Sequence, residues 1–257
     1  MICAGIDAGS RTIKIVLLKG RTHDVLAAGV RDQGVAHDRL ARELLDELLA
    51  SAGLGLGDLA RTVATGYARN AITCADTTIT EITCHAVGVR HVVPDAATVV
   101  EIGGQDSKLL RLNPDGSVRD FAMNDRCAAG TGRFLELVAA RLGVGLDGLG
   151  DLARTATSPA PISSTCAVFA ETEIIGLLAS GTPPADIMAG VQASVASRVA
   201  AMAGRDVAPP VILAGGVAMI GGMADALAAV LRAPVHVAPQ PQMTGALGAA
   251  LLACRHA

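Results

Sequence analysis

The sequence has 257 residues, of which 51% are hydrophobic and 18% charged, and its formal net charge is −3 at pH 7. This composition excludes a disordered chain and indicates no basic surface for nucleic acid. Aromatic residues make up 2%, too few for the stacking platforms that hold bases or sugars. The length suits one large α/β domain or two smaller lobes, each with its own core.

The distribution of hydrophobic residues bears on the cellular compartment. The longest apolar stretches, such as residues 246–253, are far shorter than the roughly 20 residues that span a bilayer. Met1 leads directly into a strand-like run, without the basic region or cleavage site of a signal peptide. The six cysteines lack the short paired spacing of a secreted disulfide framework. We therefore expect a cytoplasmic protein with no membrane and no nucleic-acid partner.

The first third of the chain predicts mostly strands. Apolar runs predict strands over residues 2–6, 13–18, 25–30 and 62–65. Between the third and fourth strands, residues 38–50 place leucines at helical spacing on one face and oppositely charged i,i+4 pairs on the other. A second helix is predicted from about residue 80 towards residue 89.

The pattern of strand, acid, glycine turn and returning strand then occurs a second time. Strands are predicted over residues 99–102, 108–112 and 118–123. At an offset of 94 residues, the aligned positions are Asp7 with Glu101, Gly9 with Gly103, Ser10 with Gly104 and Lys14 with Lys108. Repetition at this period predicts a duplicated domain.

The second half is more helical. Helices are predicted over residues 130–142 and 166–180, and a third opens at Thr182, which we expect to be its N-cap with proline at the first helical position. The apolar face of that third helix consists of Ile187, Val191, Val195, Val199 and Met202. Strands over 211–214 and 235–237 and a small-residue helix over 243–253 complete the chain.

Three glycine turns are candidates for a nucleotide site. They are Asp7-Ala-Gly9-Ser10, Gly103-Gly104-Gln105-Asp106 and Leu213-Ala-Gly215-Gly216. Glycine permits a tight turn and lets backbone N–H groups approach phosphate oxygens. An acid at the end of a strand is placed to hold Mg²⁺, through water because Mg²⁺ dehydrates reluctantly. The side chains that would add donors or positive charge in the first turn are those of Ser10, Arg11, Thr12 and Lys14.

A single Asp-x-Gly turn is most often an ordinary β-turn, so the three turns matter as a set. The sequence has neither a Walker lysine motif nor Gly-x-Gly-x-x-Gly between a strand and a helix, which argues against P-loop and Rossmann folds. The order of the turns resembles the phosphate-1, phosphate-2 and adenosine motifs of the superfamily of acetate and sugar kinases, Hsp70 and actin. The resemblance implies a duplicated RNase H-like α/β fold, with two lobes, a nucleotide cleft between them and ATP as the ligand.

The cysteines fall into two groups. We expect Cys3, Cys74, Cys84 and Cys254 to be small buried hydrophobic residues. We interpret Glu81, Cys84 and His85 as structural residues and not as a metal site. Cys127 and Cys166 each precede a predicted helix, where N–H groups and the helix dipole favour a thiolate. They are 39 residues apart, and the local pattern by itself favours a structural role for both.

Two motifs around these cysteines resemble those of ATP-dependent activators of 2-hydroxyacyl-CoA dehydratases, a group that includes the ATPase subunits of benzoyl-CoA reductase. The motifs are NDRCAAGTGRFLE at 124–136 and STCAVFAE at 164–171. Shorter matches are GIDAGS at 5–10, EITCHA at 81–86, EIGGQD at 101–106 and GALGAA at 245–250. One position departs from the family pattern, because Glu101 stands where Asp is expected. The longer carboxylate is expected to shift the Mg²⁺-bound water and slow hydrolysis.

The resemblance implies roles for individual residues. Cys127 and Cys166 would be iron–sulfur ligands, and since a [4Fe–4S] cluster takes four thiolates, one cluster would bridge a homodimer. The residues implied in catalysis, which would position Mg²⁺ and the attacking water, are Asp7, Glu101, Gln105 and Asp106. The residues implied in binding ATP or ADP are Gly9, Ser10, Arg11, Thr12, Lys14, Gly103, Gly104, Gly130, Thr131, Gly132, Gly215 and Gly216. The lobes would be residues 1–95, with a returning helix at about 243–257, and residues 96–242, which carry both cysteines.

The function implied is that of an ATP-driven one-electron donor. ATP binding would be relayed through residues 130–132 and the helix containing Phe134 to the cluster. The partner would be an iron–sulfur enzyme of the 2-hydroxyacyl-CoA dehydratase or benzoyl-CoA reductase type, and the upstream reductant a ferredoxin or flavodoxin. The alternatives are an ATP-hydrolysing subunit of a benzoyl-CoA reductase, a small-molecule kinase of the same superfamily and a non-catalytic regulator with a degenerate metal site.

Overall fold

The computed structural model describes residues 1–163, 166–204 and 207–255, and its contacts divide the chain into two compact units. The first unit consists of Met1–Ala96, Leu112–Arg119 and Ala238–Ala257. The second consists of Ala97–Arg111 and Asp120–Val237. Ser164 and Thr165, which belong to the second cysteine motif, lie outside the described residues.

The first sheet has the strand order β3-β2-β1-β4-β5. Its strands are β1 (Ile2–Ala8), β2 (Thr12–Lys19), β3 (Val25–Asp32), β4 (Leu59–Thr65) and β5 (Thr77–Thr78). β2 is antiparallel to β1 and β3, whereas β4 is parallel to β1 and to β5. β1 is an almost continuously buried apolar run, as expected for a central strand with both faces covered.

Three helices accompany this sheet: α1 (His37–Ser51), α2 (Glu81–Val92) and α8 (Thr244–Arg255). α1 is amphipathic and buries Leu44, Leu45 and Leu49 in the core that β1 and β2 also line. α2 begins after Thr80, whose Oγ1 accepts a hydrogen bond from the Thr83 N–H at 3.3 Å, as an N-cap does.

α2 and α8 approach each other closely because glycines lie at their contact. A Cβ on Gly88 would lie 2.0 Å from the Thr244 carbonyl oxygen, and a Cβ on Gly248 would lie 1.8 Å from the Cys84 carbonyl oxygen. Real Cβ atoms do not approach a carbonyl oxygen so closely, so this packing requires glycine at both positions. The small-residue composition of α8 therefore follows from its packing against α2.

The second sheet has the strand order β10-β9-β6-β7-β8. Its strands are β6 (Thr98–Ile102), β7 (Ser107–Leu112), β8 (Val118–Asn124), β9 (Val211–Ala214) and β10 (Val235–Val237). β7 is antiparallel to β6, and β9 is parallel to β6 and to β10. Thus β6, β7, β9 and β10 repeat the order and directions of β1, β2, β4 and β5, which confirms the predicted duplication.

The helices of the second unit are α3 (Gly132–Leu142), α4 (Leu149–Arg154), α5 (Ala167–Ala179), α6 (Pro184–Ala203) and α7 (Met223–Leu231). Four of the five residues of the predicted α6 face, Ile187, Val191, Val195 and Val199, are fully buried in the core, and Met202 is half-buried. The prediction that Thr182 caps α6 is wrong. The N-cap is Pro183, with Pro184 at the first helical position and no side-chain capping bond.

The predicted helices and longer strands all occur, with ends that differ by one or a few residues. β5, α4 and α7 were not predicted. β5 and α4 are too short to show a hydrophobic period, and α7 is an Ala-rich stretch whose apolar residues are not confined to one face.

The close contact of α2 and α8 gives a prediction for stability. Gly248→Ala is expected to lower the free energy of unfolding by about 2–3 kcal/mol, because α2 and α8 must separate to admit the new Cβ. Gly57→Ala is the matched control, since no atom lies within 4 Å of that Cβ position, and its effect is expected to be within about 1 kcal/mol. Urea unfolding measures both. Equal midpoints for the two variants would contradict the packing argument.

Candidate functional site

In the first unit, β1 ends in a glycine turn that holds a buried carboxylate. Asp7 pairs in register with Lys14 across β1 and β2, and Lys14 Nζ lies 3.3 Å from Asp7 Oδ2. The Gly9 N–H donates to the Thr12 carbonyl oxygen at 3.1 Å and closes the turn. A charge removed from water needs a partner, and Lys14 is that partner for Asp7.

The remaining predicted residues of this turn lie nearer the surface. Ser10 and Thr12 are half-buried and Arg11 is exposed. Arg11 forms an ion pair with Asp32 at 3.2 Å. Hydroxyl donors and a guanidinium group are thus gathered at the tip of the turn that begins at Asp7.

The second unit repeats this arrangement with a more deeply buried cation. Glu101 pairs in register with Lys108, whose side chain is 1% exposed. Lys108 Nζ lies 2.9 Å from Glu101 Oε2 and 2.8 Å from Asp106 Oδ2. The Gly103 N–H closes the turn by donating to the Asp106 carbonyl oxygen at 2.9 Å, and Gln105 is exposed at its tip. Both turns therefore offer carboxylate oxygens, the ligand type that Mg²⁺ prefers.

Each carboxylate packs against a glycine at the end of the neighbouring parallel strand. Thr65 is opposite Asp7 and is followed by Gly66, and Ala214 is opposite Glu101 and is followed by Gly215. Both glycines have left-handed φ angles, +92° and +87°. A Cβ would lie 2.4 Å from Asp7 Oδ1 at Gly66 and 2.6 Å from Glu101 Oε1 at Gly215. Glycine is required at both positions.

Sequence reasoning missed two members of this repeated site. Gly66 was missed because nothing in the local sequence marks it as a neighbour of Asp7. Lys108 was aligned with Lys14 but was not assigned to the site. The 94-residue offset carried the signal for Lys108, whereas Gly66 becomes apparent only from the strand pairing.

The start of α3 is hydrogen-bonded directly to the second turn. The Gly132 N–H donates to the Gly103 carbonyl oxygen and the Arg133 N–H to the Gly104 carbonyl oxygen, both at 2.8 Å. The Thr131 N–H and hydroxyl both donate to the Ala128 carbonyl oxygen. The backbone of residues 131–133 is thus tied to protein carbonyls, and the start of α3 is joined to the Gly103–Gly104 turn.

Cys127 immediately precedes a 3₁₀ turn (Ala128–Gly130) that leads into α3. Asn124 holds it in place, since Asn124 Nδ2 donates to the Cys127 carbonyl oxygen at 3.1 Å and Asn124 Oδ1 accepts from the Cys127 N–H at 3.2 Å. The residue is half-buried.

Cys166 is exposed and stands at the N-cap position of α5. α5 packs against α3 and against the 3₁₀ turn after Cys127. An ion pair joins the two helices, with Arg141 Nε donating to Glu171 Oε1 at 2.6 Å. The two predicted ligand cysteines therefore lie at the starts of neighbouring, directly linked elements.

The other cysteines are less uniform than predicted. Cys3 and Cys84 are fully buried, but Cys74 and Cys254 are only half-buried, so the prediction is wrong for these two. Burial raises the pKa of Cys84 to about 12. Burial, together with the neighbouring Cys3 thiol, also raises the pKa of Cys254 to about 12. These thiols are therefore poor nucleophiles.

Two features are absent from the described part of the chain. Within residues 1–163, 166–204 and 207–255, no group of three or more His, Cys, Asp or Glu side chains is placed to hold a metal ion. Over the same part of the chain, no helix is long and apolar enough to cross a membrane.

A comparison with known protein families shows to which family the chain belongs. The model of the BadF/BadG/BcrA/BcrD ATPase family matches residues 4–253. The chain belongs to this family. The predicted family resemblance and the predicted ATPase activity are thereby confirmed.

Individual known proteins are similar to this chain over nearly their whole length. The activator of lactoyl-CoA dehydratase from Anaerotignum propionicum is 48% identical over 254 residues, which cover 98% of this chain and 97% of that protein. The solved structure of (R)-2-hydroxyglutaryl-CoA dehydratase component A from Acidaminococcus fermentans has a TM-score of 0.94 at 41% identity, covering 100% of this chain and 98% of that chain.

A second solved structure, the activator of the 2-hydroxyisocaproyl-CoA dehydratase from Clostridium difficile, has ADPNP bound. Its TM-score is 0.93 at 39% identity, with 100% of this chain and 95% of that chain covered. Sugar kinases share the fold alone: a ROK hexokinase from Thermus thermophilus has a TM-score of 0.54 at 16% identity, covering 100% of this chain and 99% of that chain. The predicted fold class is confirmed.

The buried lysine of the second turn gives a prediction for stability. Lys108→Met is expected to cost about 3–5 kcal/mol of unfolding free energy, because it leaves Glu101 and Asp106 without their buried cation. Arg39→Met, which removes an exposed ion pair with Glu43, is the control and is expected to cost less than about 1 kcal/mol. Chemical denaturation of both variants at pH 7 measures the difference. Similar losses of unfolding free energy in the two variants would show that the charge of Lys108 does not stabilise the turn.

The cysteine environments predict the pattern of alkylation. In metal-free protein at pH 8, iodoacetamide is expected to modify exposed Cys166 and to spare Cys84. With a pKa of about 12, only about one Cys84 thiol in ten thousand is a thiolate at that pH, and its burial excludes the reagent. Peptide mass spectrometry after timed quenching measures the order of modification. Equal rates at Cys84 and Cys166 would contradict the assigned burial.

Proposed function

We propose that this protein is an ATP-dependent one-electron donor that activates a 2-hydroxyacyl-CoA dehydratase. Relatives at 48% and 41% identity carry the names of such activators or of a dehydratase component. The observation on this chain that carries the proposal is the pair of hydrogen bonds from Gly132 and Arg133 to the Gly103–Gly104 turn. These hydrogen bonds connect the Gly103–Gly104 turn, which is predicted to bind phosphate, to the segment that bears Cys127.

For the nucleotide, we assign phosphate contacts to the tips of the two glycine turns. Gly9 and Gly103 use their N–H groups to close the turns, so their role is to shape them. The direct contacts then fall to the backbone of residues 10–12 and of Gly104, with the hydroxyls of Ser10 and Thr12. Beside the third turn, the space around the Cβ position of exposed Gly216 is open, as an adenosine that packs on the backbone requires.

The carboxylates of both turns are assigned to Mg²⁺, which they would hold through water. Asp7, Glu101 and Asp106 supply oxygen ligands of the appropriate type. Lys14 and Lys108 keep these carboxylates in place by ion pairing. Gln105, exposed at the tip of its turn, is assigned to orient the attacking water.

Cys127 and Cys166 are assigned as the ligands of a [4Fe–4S] cluster. Each thiol precedes a helical turn, where backbone N–H groups stabilise negative charge. Such a cluster takes four thiolates, so two copies of the chain supply the set. When bound, the cluster supplies the one-electron chemistry.

The exposed face of α5 supports a homodimer. Val168 and Phe169, directly after Cys166, are 66% and 68% exposed, and Ile175 is 45% exposed. The opposite side of α5 is buried through Ala170 and Ile174. A helix that is apolar on both sides needs a second covering surface. A second copy provides that surface and brings its own pair of cysteines.

The described contacts support nucleotide-driven coupling between the Gly103–Gly104 turn and the two cysteines. We assign to a phosphate bound at the Gly103–Gly104 turn a shift of the carbonyls to which α3 is hydrogen-bonded. The Arg141–Glu171 ion pair, which joins α3 to α5, would pass that shift to α5. ATP must bind the electron-donating arrangement more tightly than the resting one for this shift to occur. Each donated electron is replaced by a low-potential carrier, for which we propose ferredoxin or flavodoxin.

Anaerobic purification tests the proposal. The protein is expected to be a brown homodimer with about two irons and two sulfides per chain. Cys127→Ala and Cys166→Ala are expected to lose the iron because each removes two of the four thiolates of the dimer. Cys74→Ala, a half-buried cysteine outside the two motifs, is the matched control and should retain it. Iron and sulfide analysis with mass measurement in solution gives the result. If the protein is a colourless monomer that phosphorylates a metabolite, the proposal is wrong and the kinase alternative is correct.

A further inference from the structure

His85 is a buried polar side chain for which the proposed mechanism has no use. It lies on α2 and is 4% exposed. Its Nδ1 is 2.9 Å from Thr244 Oγ1, at the start of α8. The Thr244 hydroxyl also lies 3.2 Å from the Pro241 carbonyl oxygen, so it can donate its single proton there and accept from Nδ1–H. The contact with Thr244 fixes the ring orientation, and in the tautomer with the proton on Nδ1 the acceptor nitrogen is Nε2.

The Nε2 edge of the ring and the Asp7 carboxylate both lie beside Gly245. A Cβ on Gly245 would lie 3.1 Å from His85 Nε2 and 3.1 Å from Asp7 Oδ2. Because both atoms are 3.1 Å from one point, they are at most 6.2 Å apart. A separation near this limit is one that a single bridging water can span. Any side chain at position 245 would fill this space.

The surrounding elements hold His85 in this position. α2 packs on α8 through Gly88 and Gly248, and α8 packs on β1 so closely that a Cβ on Gly5 would be 2.1 Å from the Ala246 carbonyl oxygen. Backbone contacts of this kind leave little freedom for rigid-body movement. The imidazole and the strand that carries Asp7 therefore form one rigid assembly within the first unit.

We propose that His85 is a positioning residue for Asp7. Lys14 Nζ holds the carboxylate directly, and His85 Nε2 holds it through one water, so that Asp7 is oriented to bind the hydration shell of Mg²⁺. Gly245 keeps the space between them free of side-chain atoms. This inference rests on the proposed function, because it needs the assignment of Asp7 to Mg²⁺. A merely structural His85 would support nucleotide binding equally with and without Mg²⁺.

Calorimetric titration of the anaerobically purified dimer with ADPNP, in Mg²⁺ and in EDTA, separates the two roles. His85→Ala is expected to weaken binding in Mg²⁺ by about tenfold or more, as outer-shell substitutions do, and to leave binding in EDTA within about twofold of the wild type. His85→Gln should recover most of the loss, since its amide can donate to Thr244 and its carbonyl can accept on the Asp7 side. His91→Ala, an exposed histidine on the same helix, is the control.

A second pair of variants covers the case in which His85→Ala does not fold. Thr244→Val keeps the volume but removes the acceptor for Nδ1–H, and is expected to show the same selective loss in Mg²⁺, whereas Thr244→Ser should not. If ADPNP binding by the His85→Ala and Thr244→Val variants is weakened equally in Mg²⁺ and in EDTA, or in neither, the positioning role is overturned. Failure of the wild-type protein to bind ADPNP overturns the proposed function instead.

Discussion

The buried ammonium group of Lys108 is the constraint on which the second unit depends. With the side chain 1% exposed, its charge is balanced by Glu101 and Asp106 at 2.9 and 2.8 Å. Placing the charges of Lys108 and Glu101 in the interior is costly unless they are paired, so the turn that carries Glu101 and Asp106 has little freedom. Lys14 and Asp7 form the corresponding pair of the first unit, nearer the surface and at 3.3 Å. Duplication has thus preserved a charge arrangement as well as a strand order.

A rigid turn can transmit a ligand-induced shift, and here it is attached to a helix. The carbonyls of Gly103 and Gly104 accept hydrogen bonds from the first turn of α3, close behind Cys127, and α3 is joined to α5 by Arg141 and Glu171. In the first unit, a comparably rigid assembly surrounds Asp7, where α2, α8 and β1 meet through glycines. The turns that carry the carboxylates assigned to Mg²⁺ are therefore held by well-packed elements, which limits the reorganisation that nucleotide binding requires.

Much of the fold was predictable because its elements are long and strongly patterned. The leucines of α1 and the apolar stripe of α6 have clear helical periods, and the two strand–acid–glycine segments show the duplication through their common offset. The predictions that proved wrong rested on the preference of a single residue type, which neighbouring residues can override. Thr182 is a good capping residue, but Pro183 takes the cap position. Cys74 and Cys254 have the residue type of a buried hydrophobe, yet they lie at the margins of their clusters.

The sequence by itself determined the residue types of the site, its two cysteine motifs, the repeated turns and the membership of a fold class, because these are encoded in short segments. Only the tertiary structure decided which groups meet. His85 and Thr244 are 159 residues apart, and neither local propensity nor hydrophobic period relates them. The contact of Gly66 with Asp7 likewise depends on the pairing of β1 with β4. Such partners are selected by strand register and by the close packing of helices, which are properties of the assembled chain.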